Sequence, residues 1–251
     1  MKSAAWLLGI ALAAFVLVTR PVHPGQVATD GQGVAAVQIE RPATQSRVTA
    51  PLEIRARLVG QGGAKLWLEL FGKDGRLLAR RVLRLALPAS SSAVVNEPLD
   101  FEIPGASEEG WLRLVVQDRQ LRWMAVDSVP LTLLREGRLI TAPAALMELD
   151  IRIQQPAAQA RISGGVLEVQ GMAGAEVKLP LRVQLVDAEG RVVGQRLAGG
   201  EPAGTDGQAA FSAQVSYHVT APTEVRLLVF EAGSDLLQVE HLSSLELILN
   251  P

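Results

Sequence analysis

Val37-Gln-Ile-Glu-Arg-Pro-Ala-Thr-Gln-Ser-Arg-Val48 is written a second time as Ile151-Arg-Ile-Gln-Gln-Pro-Ala-Ala-Gln-Ala-Arg-Ile162, 114 positions later. Pro42, Ala43, Gln45 and Arg47 match Pro156, Ala157, Gln159 and Arg161, and the apolar pairs Val37/Ile151, Ile39/Ile153 and Val48/Ile162 keep their places. A repeat at this spacing marks a tandem of one module, and half of 251 residues is an ordinary domain size. Each copy reads as the first strand of its module, ended by a proline-directed bend. Pro42 and Pro156 fit an edge strand, where a missing N–H leaves no ladder bond unmade.

Working outward, apolar and polar residues alternate at period two, the pattern of a half-buried strand. Leu52, Ile54, Ala56 and Leu58 share one face, and Leu66, Leu68 and Leu70 share the next, with Trp67 and Glu69 opposite. Gly72-Lys-Asp-Gly75 reads as a turn, Leu77 to Leu87 as an extended segment and Ala89 to Asn96 as a Ser-rich loop. Phe101 with Ile103, Leu112 to Val116, Trp123 to Val126 and Val129 to Leu133 read as further strands. The second module repeats the order. Leu167 and Val169 answer Leu52 and Ile54, Asp187-Ala-Glu-Gly190 answers the first turn, and Gly199 to Gly207 replaces the Ser-rich loop. Phe211 answers Phe101, Val225-Arg-Leu227 answers Leu112-Arg-Leu114, and Leu245 and Leu247 answer Leu131 and Leu133.

About seven short strands separated by turn signals are expected in each module, the count of an immunoglobulin-like sandwich. The expected fold is therefore all-β: two tandem immunoglobulin-like β-sandwiches after an N-terminal hydrophobic helix. Its divisions are residues 1–20 as signal peptide or membrane anchor, 21–35 as flexible linker, 36–135 as the first sandwich, 136–148 as a short linker and 149–251 as the second sandwich.

The order of these features resembles the immunoglobulin-like domain of bacterial spore germination. The resemblance is carried by Ile39, Pro42, Val48, Leu52, Ile54, Asp74 and Gly75, and again by Ile153, Pro156, Ile162, Leu167, Val169, Glu189 and Gly190. It covers nearly all of 36–135 and 149–250. It implies a cell-surface or spore-envelope setting and brings no catalytic residues with it.

Ala4 to Val18 is an unbroken apolar run behind Lys2. Its 15 residues reach the upper end of a signal-peptide core and fall short of the ~20 that span a bilayer comfortably. Thr19-Arg20-Pro21 supplies no clear cleavage site, so a cleaved signal and a retained anchor both stay open. Either one places the modules outside the cytoplasm, secreted or held at the cytoplasmic membrane through residues 4–18. Without residues 1–20 the chain has 22 basic against 26 acidic residues, or −4, and its Arg residues are scattered, which excludes the clustered basic face of a nucleic-acid binder. The absence of cysteine excludes thiolate metal sites, thiol catalysis and lipid modification after a signal.

No residues suggest catalysis, a metal or a cofactor. His23, His218 and His241 have no His or Cys at ligand spacing, and the latter two read as surface or strand-edge residues. Glu108-Glu109 reads as a solvated turn, Asp206-Gly207 lacks the alternating acids of a calcium loop, and no nucleophile elbow occurs. Binding is expected instead, because sandwich loops carry it. The hairpin Asp118 to Met124 gathers Arg119, Arg122 and Trp123, residue types enriched at interface hot spots, and the second module has no counterpart. Trp123 equally fits packing against the other module, while Trp67 and Trp111 read as core or inter-sheet residues. The expected function is that of a non-catalytic structural or interaction protein of the bacterial cell envelope, with an envelope protein as partner and a link to sporulation implied by the resemblance. The alternative is a cell-wall glycan-binding protein that stacks sugar on Trp123.

Overall fold

The computed structural model describes residues 34–60, 64–85, 91–137, 140, 149–200, 207–231 and 239–251. The expected apolar helix at 4–18, the expected linker up to residue 33, Asp206 and most of the expected inter-module linker lie outside them. Among the described residues there are sixteen strands and no helix.

In the first module β1 (Val34–Arg41), β3 (Leu52–Gly60) and β6 (Ser91–Leu99) form one antiparallel sheet. The facing sheet runs β5 (Leu77–Arg84), β4 (Lys65–Gly72), β7 (Ser107–Gln117), β8 (Trp123–Leu134), with β2 (Arg47–Val48) parallel to β8. The second module follows the same plan. There β9 (Ile151–Gln155), β11 (Val166–Ala173) and β14 (Ala209–Ser216) lie opposite β13 (Val192–Gly200), β12 (Leu181–Asp187), β15 (Thr223–Glu231) and β16 (Leu242–Leu249), with β10 (Arg161–Ile162) parallel to β16.

The alternation read from the sequence is the physical reason for these layers. In β3, residues 52, 54, 56 and 58 are buried and those between them face out, because successive side chains leave a strand on opposite sides. They meet Leu66, Leu68 and Leu70 from β4 and Leu112 and Leu114 from β7, which gives the first module an aliphatic core. The second core is built alike, from Leu167 and Val169 against Leu181, Val183, Leu185, Leu227 and Val229.

The repeated stretch is more than one strand. After β1 the chain turns through Pro42, whose peptide bond is cis, and through Gln45 at φ 62°, and β2 then joins the opposite sheet. Pro156, also cis, and Gln159, also at φ 62°, do the same in the second module. The Gln45 N–H donates to the Pro130 carbonyl at 2.9 Å and the Gln159 N–H to the Glu246 carbonyl at 2.7 Å, so both turns are tied to the last strand of their module. Each module thus has eight strands, and the two-residue β2 and β10 go unread in the sequence because a strand that short leaves no periodic signal. Gly75 and Gly190, at φ 77° and 84°, occupy equivalent corners of the β4–β5 and β12–β13 turns, where the left-handed backbone favours glycine.

Five readings of the sequence need correction. Val34 and Ala35, placed in the tether, begin β1. Of the Ser-rich loop expected over Ala89 to Asn96, the residues from Ser91 on are strand, since Ser91–Leu99 pairs with β3 along its whole length. Serine is acceptable on the exposed side of an edge strand, where Pro98 is also tolerated. Phe101 and Ile103 are buried but follow that strand rather than form one, and the residues between Trp123 and Leu133 make one strand, not two. Glu108 and Glu109 lie in β7, not in a turn.

The register also revises the internal alignment. Leu52 pairs with Leu99 and Leu167 with Val215, which makes Tyr217, not Phe211, the counterpart of Phe101. Leu70 pairs with Leu112 and Leu185 with Leu227, so Leu112 corresponds to Leu227, two residues from the position read in sequence. Leu112 pairs with Val129 and Leu227 with Leu245, so Val129, not Leu131, corresponds to Leu245.

Candidate functional site

The two modules meet where β1 and β8 of the first lie against β16 of the second. Val126 of β8 pairs with Leu242 of β16, and Val34 and Ala35 of β1 pair with Leu245 and Ser244, so one hydrogen-bonded sheet passes from module to module. Ser244 donates to the Met124 carbonyl at 2.6 Å, a buried bond across the joint. Beside it Val115 and Val126 pack against Phe230, Val239 and Leu242, with Trp67, Trp123 and Leu228 around them.

A buried polar cluster closes the other side of the joint. His241, expected at a surface or strand edge, is 5% exposed. Its Nδ1 lies 3.0 Å from Asp127 Oδ1 and 3.8 Å from Asp150 Oδ2. Asp127 also accepts the Ser128 N–H at 2.8 Å and, through its other oxygen, the Ile39 N–H at 2.5 Å, so the carboxylate is well satisfied. Burial opposes a charge on His241, but the hydrogen bond and charge of Asp127, with Asp150 and Glu231 behind them, raise its pKa to about 9. Burial pushes the Asp150 carboxyl up to about 7, reinforced by Asp127 and partly offset by His241. Glu231 is raised by burial too, against a 2.8 Å hydrogen bond from the Lys178 N–H.

Asp127, Asp150 and His241, and separately Glu231, Glu240 and His241, place ligand atoms close enough to hold a cation. In the first group the imidazole nitrogen facing the carboxylates already bonds Asp127, and the imidazolium itself balances their charge. The chemistry of this group is that of a buried ion pair. The His241–Asp127 contact spans 114 residues of chain, which is why a search for neighbouring ligands in sequence missed it.

Period two also builds the outer face of the β4–β7 sheet. With Leu66, Leu68 and Leu70 in the core, Trp67, Glu69 and Phe71 must point away from it. Glu69 takes Arg80 at 2.8 Å and Arg113 at 2.7 Å. The Arg113 guanidinium lies over Phe71 at 4.7 Å and over Trp123 at 5.5 Å, and Arg80 lies over Trp67 at 5.1 Å. Phe71 and Trp111, directly paired across β4 and β7, stack with centroids 5.8 Å apart. Trp67 and Trp111 therefore belong to an outward face, not to the core or the space between the sheets.

This face forms one wall of an open cleft of about 950 Å³ between the modules. Phe71, Trp111, Arg113 and Pro130 line it from the first module, and Glu176, Lys178, Glu240 and His241 from the second. Thr44, in the repeated turn, donates to Glu176 at 3.1 Å across it.

The binding residues singled out in sequence do not line this cleft. Arg122 is clasped by Asp118, with its Nε 2.7 Å from the carboxylate and its N–H bonded to the same side chain, and it reaches the Ala188 carbonyl of the second module at 3.3 Å. The β12–β13 turn carries the same clasp, Asp187 with Arg191 at 2.7 Å. Trp123 is half-buried in the inter-module cluster and Arg119 is exposed at the hairpin tip. His218 is exposed.

No protein-family model matches the chain, and no curated protein does. Among solved structures, the fibronectin(III)-like modules of CbhA from Clostridium thermocellum align over 85% of this chain and 93% of theirs, at 12% identity and a TM-score of 0.26. Dimeric latent PorU from Porphyromonas gingivalis aligns over 86% of this chain and 24% of its own, at 8% and 0.27. A marsupial T cell receptor aligns over 86% and 73%, at 7% and 0.25. Scores of this size carry no argument. The assignment of two immunoglobulin-like sandwiches rests on the strand pairing described above.

Proposed function

We propose that this chain is a non-catalytic, extracytoplasmic interaction protein of the bacterial cell envelope, in which two sandwiches act as one rigid unit and offer the cleft between them to a partner. The observation that carries the reading is the joint. Tandem domains move relative to one another unless their interface is large or hydrophobic. Here a continuous sheet, an apolar cluster and a buried His241–Asp127 pair oppose that motion. A fixed joint gives the cleft a fixed width, which a binding surface needs and a flexible tether would not supply.

The envelope setting rests on the apolar run at 4–18 and on the sequence resemblance. A part in sporulation has the resemblance alone behind it. A glycan as partner is the second reading, favoured by the Phe71–Trp111 pair on the cleft wall.

A photo-crosslinking side chain at Lys178, on the cleft rim, tests the proposal in the native cells. The expected result is one dominant crosslinked envelope component, lost when Trp111→Ala is added. Crosslinks to soluble cytoplasmic proteins alone would sink the reading.

A further inference from the structure

We infer that the inter-module cleft is a binding site for an uncharged oligosaccharide, held against Trp111 and Phe71 on one wall and hydrogen-bonded to Glu176 and Glu240 on the other. The inference rests on the reading of the cleft as the binding surface and names its ligand class.

Size comes first. Ligand clefts span roughly 300–1,000 Å³, and one of about 950 Å³ holds more than a single sugar ring.

Charge comes second, and it excludes more than it admits. Arg113 is paired with Glu69 at 2.7 Å, Lys178 with Glu240 at 3.3 Å and His241 with Asp127 at 3.0 Å. Cations and anions alternate around the cleft, so a ligand of one strong sign gains against some and loses against others. Nucleic acid, polyphosphate and acidic peptide are disfavoured on this ground.

Exchangeable hydrogen-bonding capacity comes third. An ionised carboxylate accepts at about four lone-pair sites. Glu176 receives the Thr44 hydroxyl and Glu240 receives the Lys178 ammonium, which leaves acceptor positions on both. Both side chains are exposed, so a ligand rich in O–H or N–H donors can take the place of water there. A pyranose carries a ring of hydroxyls around an apolar C–H face, and the aromatic wall meets that face while the carboxylates meet the hydroxyls. A proline-rich peptide would use the rings but lacks the donors.

The site is therefore not at Trp123, which packs into the inter-module cluster, but at Trp111, on the neighbouring strand.

Titration calorimetry on the full chain, in a detergent without a sugar headgroup, tests this. The probes are the tetramer of N-acetylglucosamine, cellotetraose, maltotetraose and a proline-rich decapeptide. At least one sugar is expected to bind. Trp111→Ala should weaken it tenfold or more, Trp111→Phe less than that, and Glu176→Gln with Glu240→Gln several-fold. Trp123→Ala should change it less than twofold, with folding of every variant checked by thermal melting. No heat from any sugar, equal losses for Trp111→Ala and Trp123→Ala, or binding of the decapeptide alone would overturn the inference. If the sugars fail while Trp111→Ala still abolishes the envelope crosslink at Lys178, the ligand class is wrong and the cleft remains the binding surface.

Discussion

The two modules share a register and differ on one face. Strand pairing sets Trp67, Glu69 and Phe71 of β4 against Arg182, Gln184 and Val186 of β12, and Trp111, Arg113 and Val115 of β7 against Arg226, Leu228 and Phe230 of β15. The first module carries an aromatic and arginine lattice there, and the second does not. On the last strands Asp127 corresponds to Ser243, and His241 to Ala125. What the copies keep, the proline turns and the Gly75 and Gly190 corners, holds the sandwiches. What they have lost in common lies at the joint and the cleft. Divergence within a repeat therefore points to function here better than any motif does, because two identical modules could not form this one-sided junction.

The sharpest way to break the comparison is to erase it. Asp127→Ser gives the first module the residue of the second and leaves His241 buried without its partner. Removing one member of a buried pair costs about 3–5 kcal/mol, and a loss of that order is expected in chemical denaturation. His241→Ala should be similar, because Asp127 and Asp150 would then face each other with no cation between them. Losses below ~1 kcal/mol for both would show that the pair does not hold the modules together.

Next in size is the apolar part of the joint. Leu242→Ala opens a cavity between β8 and β16, and truncations of this kind cost about 2–5 kcal/mol. The low end is expected, since the cluster is small. The informative readout is shape. Small-angle scattering should show a broader distribution of inter-module distances, whereas Leu70→Ala, in the first core, should lower stability without broadening it.

The joint also depends on pH, with a sign that follows from the two raised pKa values. The contribution of a group raised in the folded state is fully present below its unfolded pKa and is lost as pH rises through the folded value. For Asp150 the loss runs from near 4 to about 7, and for His241 from near 6.5 to about 9. The joint is thus strongest in mild acid and weakens steadily into alkali. Asp127, Asp150, Glu231 and Glu240 face the imidazole, and Lys178 pairs with Glu240 on the rim. Denaturation from pH 5 to 9.5 should show this fall, and His241→Ala should remove its upper half.

How much of this could be read from the chain depends on the range of the signal. Period-two alternation is local, so the core faces of Leu52 to Leu58 and Leu66 to Leu70 were legible without partners. It is also blind to a slip of two residues, which moves no side chain to the other face. That is why Leu112 could be matched with Val225 instead of Leu227 while every burial stayed correct. Ser91 to Asn96 was unreadable because edge pairing, not apolar content, makes it a strand. The site lay beyond reach for another reason. Trp111 and His241 each sit in unremarkable local sequence, and their meaning comes from Phe71 and Asp127, distant in the chain.

The smallest effect tests what the modules have in common. Gln45 and Gln159 hold φ at 62°, a region few residues other than glycine and asparagine visit readily. Their side chains differ in surroundings, since Gln45 lines the cleft and Gln159 contacts Glu246 at 3.3 Å, but their backbone N–H groups make equivalent bonds. If the turn is a shared structural device, the backbone decides the outcome. Gln→Gly relieves the left-handed conformation but frees the unfolded chain by about 0.4–1 kcal/mol, so each should be neutral to within ~0.5 kcal/mol. A β-branched residue resists the conformation, and Gln→Val should cost about 1–3 kcal/mol, by the same amount in both modules. Unequal costs at 45 and 159, measured by denaturation of the single variants, would mean that the Gln45 side chain holds its place for the cleft and not for the fold.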